Sequence, residues 1–249
     1  MNDIIRCLKE RKSVRVFLDR EIGAEEKREI LLAAMAAPTA GNQQLYTILD
    51  ITDQGLKEAL SKTCDNQPFI AKAKLVLIFC ADVKKWQDVY LEAGLSPRKP
   101  GAGDFLLAVE DAVIAAQNAV TAAGSLGIGS CYIGDIMEQC EVHRELLHLP
   151  QLVFPAAMVV FGYPNEQQKE RKKPERCRLE DIVQENGYRE MDGEKLRDMF
   201  RKEYPNRTFE EWADAFCRRK YNSDFSREMT RSVGEYLKEY KMGDRDEPV

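Results

Sequence analysis

Along the chain, segments whose apolar residues recur every three to four positions take turns with short runs that are apolar throughout. Residues 3–10, DIIRCLKE, put Ile4, Ile5 and Leu8 on one side of a short helix, with Asn2 or Asp3 at its cap. A second helix is predicted over 23–38, GAEEKREILLAAMAAP. It opens with acidic residues, shows an Ile30, Leu31, Ala34 and Met35 face, and stops at Pro38. The polar loop TAGNQQ, 39–44, leads into a strand, LYTILDI, 45–51, and a helix follows over 53–63. Buried strands are expected at 75–82 and within PAAMVVFGYP, 155–164. Between them DFLLAVEDAVIAAQNAVTAAGSLG, 104–127, is apolar around most of its circumference, as befits a helix in a core or at a subunit interface.

Proline and glycine in SPRKPGAG mark 84–103 as a long loop or lid, and the glycines of IGSCYIGDI mark 128–136 as a turn region. The resulting order of helices and strands is not a regular βαβ repeat, so an α+β layered fold is expected over a doubly wound one. From 190 onward strand character disappears. Phe209, Trp212, Ala213 and Phe216, then Met229, Val233, Tyr236, Leu237 and Tyr240, fall at helical spacing. They predict two amphipathic helices that lie on their own domain or on a partner subunit. The last residues, GDRDEPV, read as a frayed end. The expected division is a domain over 1–189 and a helical C-terminal extension over 190–249.

Composition narrows the classes. A 249-residue chain with 44% hydrophobic and 32% charged residues fits a soluble globular protein with room for a deep pocket. The longest apolar runs, such as LVLIFCA at 75–81, read as too short to span a bilayer and the N-terminus lacks a secretory pattern, so a cytoplasmic protein with no membrane partner is expected. Seven scattered cysteines show no metal-ligand spacing and read as reduced thiols. A net charge of -5 argues against a nucleic-acid partner. It also makes two local basic clusters informative: RKSVR at 11–15 and KERKKPERCR at 169–178.

If 11–15 is extended, Arg11, Ser13 and Arg15 share one side and Lys12 and Val14 the other. Two guanidiniums around a hydroxyl suit phosphate or carboxylate oxygens, although a solvated charge cluster at a helix end is the plainer reading of the segment alone. The second cluster leaves a buried strand and can close on the same anion. No GxGxxG follows a strand and no GxxxxGK[ST] occurs, which disfavours dinucleotide and P-loop binding. His143 and His148, five apart in EVHRELLHLP, do not make HExxH and read as packing or surface residues rather than metal ligands. Cys131 reads as a small buried residue.

Taken together, RKSVR, the helix ending in APT, the GNQQ turn before a strand, NQPFIAKAKLVLIFCAD, the long central helix, LGIGSCYIGDI and FPAAMVVFGYP with a following Arg and LEDIV resemble the FMN-dependent nitroreductase family over residues 3–185. The resemblance implies a mixed, mainly antiparallel sheet surrounded by helices, and a homodimer with two FMN sites at the subunit interface. It implies that Arg11, Lys12, Ser13 and Arg15 hold the FMN phosphate and ribityl chain, with Lys173 and Arg176 closing from the second cluster. Pro38, Thr39 and Asn42 would line the isoalloxazine from the partner subunit. Asn66 would lie near the ring, and Ile133 and Gly134 would offer it backbone groups. Pro174 stands where the family commonly has a lysine, which leaves Lys172 or Lys173 to take that place. The implied activity is ping-pong transfer from NADH or NADPH through the flavin to an electron-poor small molecule, with Lys12 or Arg15 facing the charge of the reduced ring. The rival is a flavin-binding sensor or docking protein without turnover.

Overall fold

The Asn2 side chain accepts the Ile5 N–H at 2.9 Å and so starts α1, Asp3–Glu10. The carboxylate of Glu26 does the reciprocal job for α2, Ala24–Met35, by accepting the Gly23 N–H at 2.8 Å. After β1, Tyr46–Asp50, Asp53 caps α3, Gln54–Thr63, by accepting Leu56 N–H at 2.7 Å. A single turn, α4, Phe69–Lys72, leads to β2, Leu75–Asp82. Then come α5, Lys84–Glu92; α6, Ala102–Ser125; β3, Gly129–Ile133; α7, Cys140–Leu147; β4, Val153–Gly162; and α8, Glu166–Glu170. These coordinates come from a computed structural model that describes residues 2–241. The expected frayed end GDRDEPV lies outside the described residues.

Two compact units are present, residues 1–171 with 229–249, and residues 172–228. The first holds one sheet in the order β1-β2-β4-β3, with every named ladder antiparallel. Every residue of β2 and β4 is buried. Alternation sends Leu77, Phe79, Val159 and Phe161 into the core shared with α2 and α6, and Val76, Ile78, Met158 and Val160 into a second core with Leu60, Ile70 and Ile136. Helices covering both faces explain why these strands read as unbroken apolar runs. α6 approaches the sheet through Ala108, Ala112, Ala115, Ala119 and Ala123, all fully buried. By length and composition α6 could cross a membrane. Nine of its residues, Asp111 included, are instead buried in this core.

Two expectations are corrected. The segment 84–103 is not one long loop, because its first half is α5. Trp86 and Tyr90 pack as an i, i+4 ring pair there, and the proline and glycine that suggested a loop lie only beyond residue 93. The segment 128–136 is not a turn region but β3 followed by a 3-10 turn, Gly134–Met137. Its first glycine serves close approach instead of a turn. A Cβ at Gly129 would sit 2.6 Å from Val14 Cγ2, and one at Gly162 2.6 Å from Phe17 Cδ1. The N-terminal segment crosses the sheet end at these two glycines, bridging Ser13 to Ser130 and Phe17 to Pro164.

Past the sheet, Tyr236 and Tyr240 enter the first core, their rings 5.0 Å from Phe154 and 5.2 Å from Phe105. Ser232 is fully buried, accepts the Cys140 N–H at 2.9 Å and donates to Met137 O at 2.6 Å, so it caps α7 from a distant part of the chain. The second unit contains α9, Leu179–Ile182; α10, Gly193–Met199; and α11, Phe209–Lys220. Phe200, Tyr204, Phe209, Trp212 and Phe216 form one aromatic cluster in it, and Arg178 pairs with Asp181 and Asp198. α12, Asp224–Leu237, belongs to the second unit up to Glu228 and to the first from Met229.

Candidate functional site

The basic segment 11–15 is held by its backbone and by the start of the second cluster. Val14 N–H donates to Ser130 O at 2.9 Å and Arg15 N–H to Gln168 Oε1 at 3.3 Å. Lys12 Nζ donates to Lys169 O at 2.6 Å and also to Arg171 O, while the Arg171 guanidinium donates to Ser13 O. The two clusters, over 150 residues apart in sequence, therefore meet at residues 12–13 and 169–171. Lys173 and Arg176, the expected phosphate partners, lie in the second unit.

Alternation leaves Arg11 and Arg15 reaching to either side of Ser13. The Arg11 guanidinium carbon stands 5.8 Å from the Tyr132 ring centre and that of Arg15 5.9 Å from the Phe69 ring centre. Burial pushes the Tyr132 phenol up to about 12 against the pull of Arg11. Tyr132 precedes Ile133 and Gly134, and Phe69 follows Asn66 by three residues, so the structure gathers 11–15, 66–69 and 132–134 into one region. Among the described residues, neither Arg11 nor Arg15 has an ion pair, and Arg11 Nε is buried without a hydrogen-bond partner. Cations this free of carboxylates, in an acidic chain, fit a phosphate-bearing ligand. A cavity of about 500 Å3 opens beside Arg11, lined by Arg6, Arg11, Lys12 and Ser130 together with Asp3 and Glu10 among others.

The other expected half of the site is built on a residue that sequence reasoning passed over. Asp111, 3% exposed within apolar α6, accepts the Thr39 hydroxyl, the Ala40 N–H at 3.0 Å and the Leu45 N–H at 3.0 Å. The Thr39 oxygen accepts Gln44 N–H at 2.8 Å, and Trp86 Nε1 donates to Gln43 O at 2.8 Å. These bonds hold a loop in which Gly41, Asn42 and Gln44 have φ of 56°, 58° and 52°. Left-handed conformations cost about 1–2 kcal/mol for a residue with a Cβ, and they persist where surrounding structure imposes them. Pro38 and Asn42 remain exposed at the loop's surface. The available signal was an acid on the buried, Ala-lined face of a helix. Such a residue must be hydrogen-bonded.

The chain does not bring its two half-sites together. Ser13 bridges Ser130, which pairs with Phe161; the loop feeds Tyr46, whose ladder runs through Ala81 to Phe154. The two points lie on opposite edges of the sheet and seven residues apart along β4, roughly 24 Å. α6 repeats the measure: Asp111 and Gly124, which abuts Cys7, are thirteen residues or roughly 20 Å apart.

Asn66 is exposed in a second left-handed stretch, with φ of 58° at Asp65 and 49° at Asn66. Gln67 Nε2 ties this stretch to Asp135 Oδ2 at 3.1 Å. Cys131 is buried, and burial pushes the nearby Cys64 thiol up to about 12, so Cys64 stays a thiol. His143 is fully buried in α7, whereas His148 ends that helix in a left-handed conformation.

A model of the nitroreductase family matches residues 8–163. The chain is 33% identical over 191 residues to an FMN reductase (NADPH) of Bacillus subtilis, covering 76% of this chain and 75% of that one. It is 35% identical over 196 residues to the oxygen-insensitive NADPH nitroreductase of Salmonella typhimurium, covering 79% and 78%. Among solved structures it is similar to the NfrA1 nitroreductase of B. subtilis, with a TM-score of 0.83 at 27% identity, covering 96% of this chain and 99% of that one.

Proposed function

This chain belongs to the nitroreductase family and is an FMN-dependent NAD(P)H oxidoreductase; we propose that it works as a homodimer in which each flavin site takes residues from both copies. When bound, FMN supplies the redox chemistry, taking a hydride from NADH or NADPH and then reducing an electron-poor small molecule such as a nitroaromatic, quinone or enone in a ping-pong cycle.

In this reading Arg11, Ser13 and Arg15 hold the phosphate and ribityl chain. Lys12 already donates to two carbonyls, which favours Arg15 as the cation facing the reduced ring. Asn66 and the backbone of Ile133 and Gly134 meet the ring edge, while Pro38, Thr39 and Asn42 of the second copy cover it. The observation that carries the reading is the separation of the two half-sites by roughly 20 to 24 Å within one chain. A single copy cannot close both on one ligand. Leu106, Leu107, Val113 and Ile114 on α6 are exposed at helical spacing and supply apolar surface for such a dimer. Seven free thiols suit a reducing compartment, in our reading the cytoplasm.

The names of the relatives favour turnover over a sensor role. Anaerobic mixing of the FMN-loaded protein with NADPH or NADH tests this: the visible flavin band should bleach within seconds. A protein that stays yellow with both nucleotides is not an oxidoreductase of this kind.

A further inference from the structure

Both ring nitrogens of His143 are engaged inside the second core. Nδ1 lies 3.0 Å from Ile136 O, a carbonyl that can only accept, so Nδ1 carries the proton. Nε2, 2.9 Å from Thr63 Oγ1 and 3.9 Å from Cys64 Sγ, is then an acceptor; the Thr63 hydroxyl is its nearer donor, with Leu60 O at 3.3 Å as that hydroxyl's other acceptor. Burial lowers the imidazole pKa and keeps this neutral tautomer.

The two partners sit on different segments. Thr63 closes α3, three residues before Asn66, and Ile136 follows Gly134 by two. Gln139 Nε2 donates to Thr63 O at 2.7 Å, and Gln67 Nε2 to Asp135 at 3.1 Å, so the same two segments are joined on either side of the imidazole. The loop beyond Thr63 holds Asp65 and Asn66 in the left-handed region, a conformation that relaxes unless its surroundings enforce it.

We infer that His143 is a positioning residue of the flavin site, its ring fixing the loop that carries Asn66 against the backbone of Ile133 and Gly134. This rests on the proposed assignment of those three residues to the flavin ring. His143 acts through Thr63 and Ile136, with the Cys64 thiol as a weaker third neighbour of Nε2. A ring contacted from both segments senses any change in their spacing, in affinity and in its visible spectrum.

The test uses the full-length protein titrated with FMN. His143→Asn keeps a donor at the place of Nδ1 and loses the bond to Thr63, while Thr63→Val removes the hydroxyl at nearly constant shape. Each is expected to raise the FMN dissociation constant about tenfold and to shift the bound-flavin spectrum. The double variant should be little worse than either single one, because both remove the same bond. Thr63→Ser should restore wild-type binding. Unchanged affinity and spectrum in the folded variants, or fully additive losses, would overturn the inference and leave His143 as packing. Should His143→Asn fail to fold, Thr63→Val and Thr63→Ser decide the matter. Failure of the underlying reading looks different: the wild-type protein itself would then bind no FMN.

Discussion

Thr39 donates its hydroxyl proton to Asp111, a carboxylate buried in the middle of the most apolar helix of the protein. With the N–H groups of Ala40 and Leu45 on the same carboxylate, the strained loop before β1 is pinned to α6 from beneath. Asp111→Asn removes one acceptor oxygen and turns an amide toward these donors. The expected cost is about 1–3 kcal/mol of stability, read by urea unfolding, together with weaker FMN retention. Unchanged stability would mean that the loop holds itself.

The N-terminal segment depends on missing Cβ atoms. Gly129→Ala places a methyl against Val14 and should push residues 12–15 off the sheet, at about 1–3 kcal/mol and with loss of flavin. Val14→Ala in the same chain removes both γ-methyls but leaves the Cβ of residue 14 at 2.8 Å, so the double variant should regain only part of the stability and flavin. Urea unfolding and FMN titration of all three proteins check this.

Arg15→Ala should raise the FMN dissociation constant about tenfold to a hundredfold, and Arg15→Lys should restore only part of it, because an ammonium cannot match the guanidinium's paired donors. A variant that retains flavin and rate through gel filtration would remove Arg15 from the site.

Stability should also depend on pH through His143. Its folded pKa is lowered from 6.5 by burial, so below pH 6.5 the unfolded chain takes up a proton that the folded chain resists. Stability should fall as pH drops from 6.5 toward the depressed folded value, and this slope should vanish in His143→Asn. Thermal unfolding between pH 7 and 5 measures it.

How much of this was legible follows from how local each signal is. The unbroken apolar runs of β2 and β4, and a cap at Asn2 or Asp3, depend on near neighbours, and they are readable along the chain. Density of proline and glycine misled at 84–92, where Trp86 and Tyr90 build a helix before the first proline, and at Gly129, where a small residue serves contact with Val14. Asp111 bonds to residues 66 to 72 positions away and His143 reaches Thr63, 80 positions away, so the acid was passed over and the imidazole reads along the chain as a packing or surface residue. The convergence of the two basic clusters was anticipated, and the side chain that reaches Ser13 is Arg171, a residue of the second cluster that was not singled out.

A shared flavin site makes a demand that no single-chain site can meet. Mix a chain carrying Arg15→Ala with one carrying Asp111→Asn and Asn42→Ala, at an FMN concentration where neither homodimer retains flavin, and isolate the heterodimer. The account predicts one FMN per heterodimer, bleached by NADPH or NADH, since one site then combines an intact N-terminal segment with an intact loop. A heterodimer that stays colourless, or chains that remain monomeric, would contradict it.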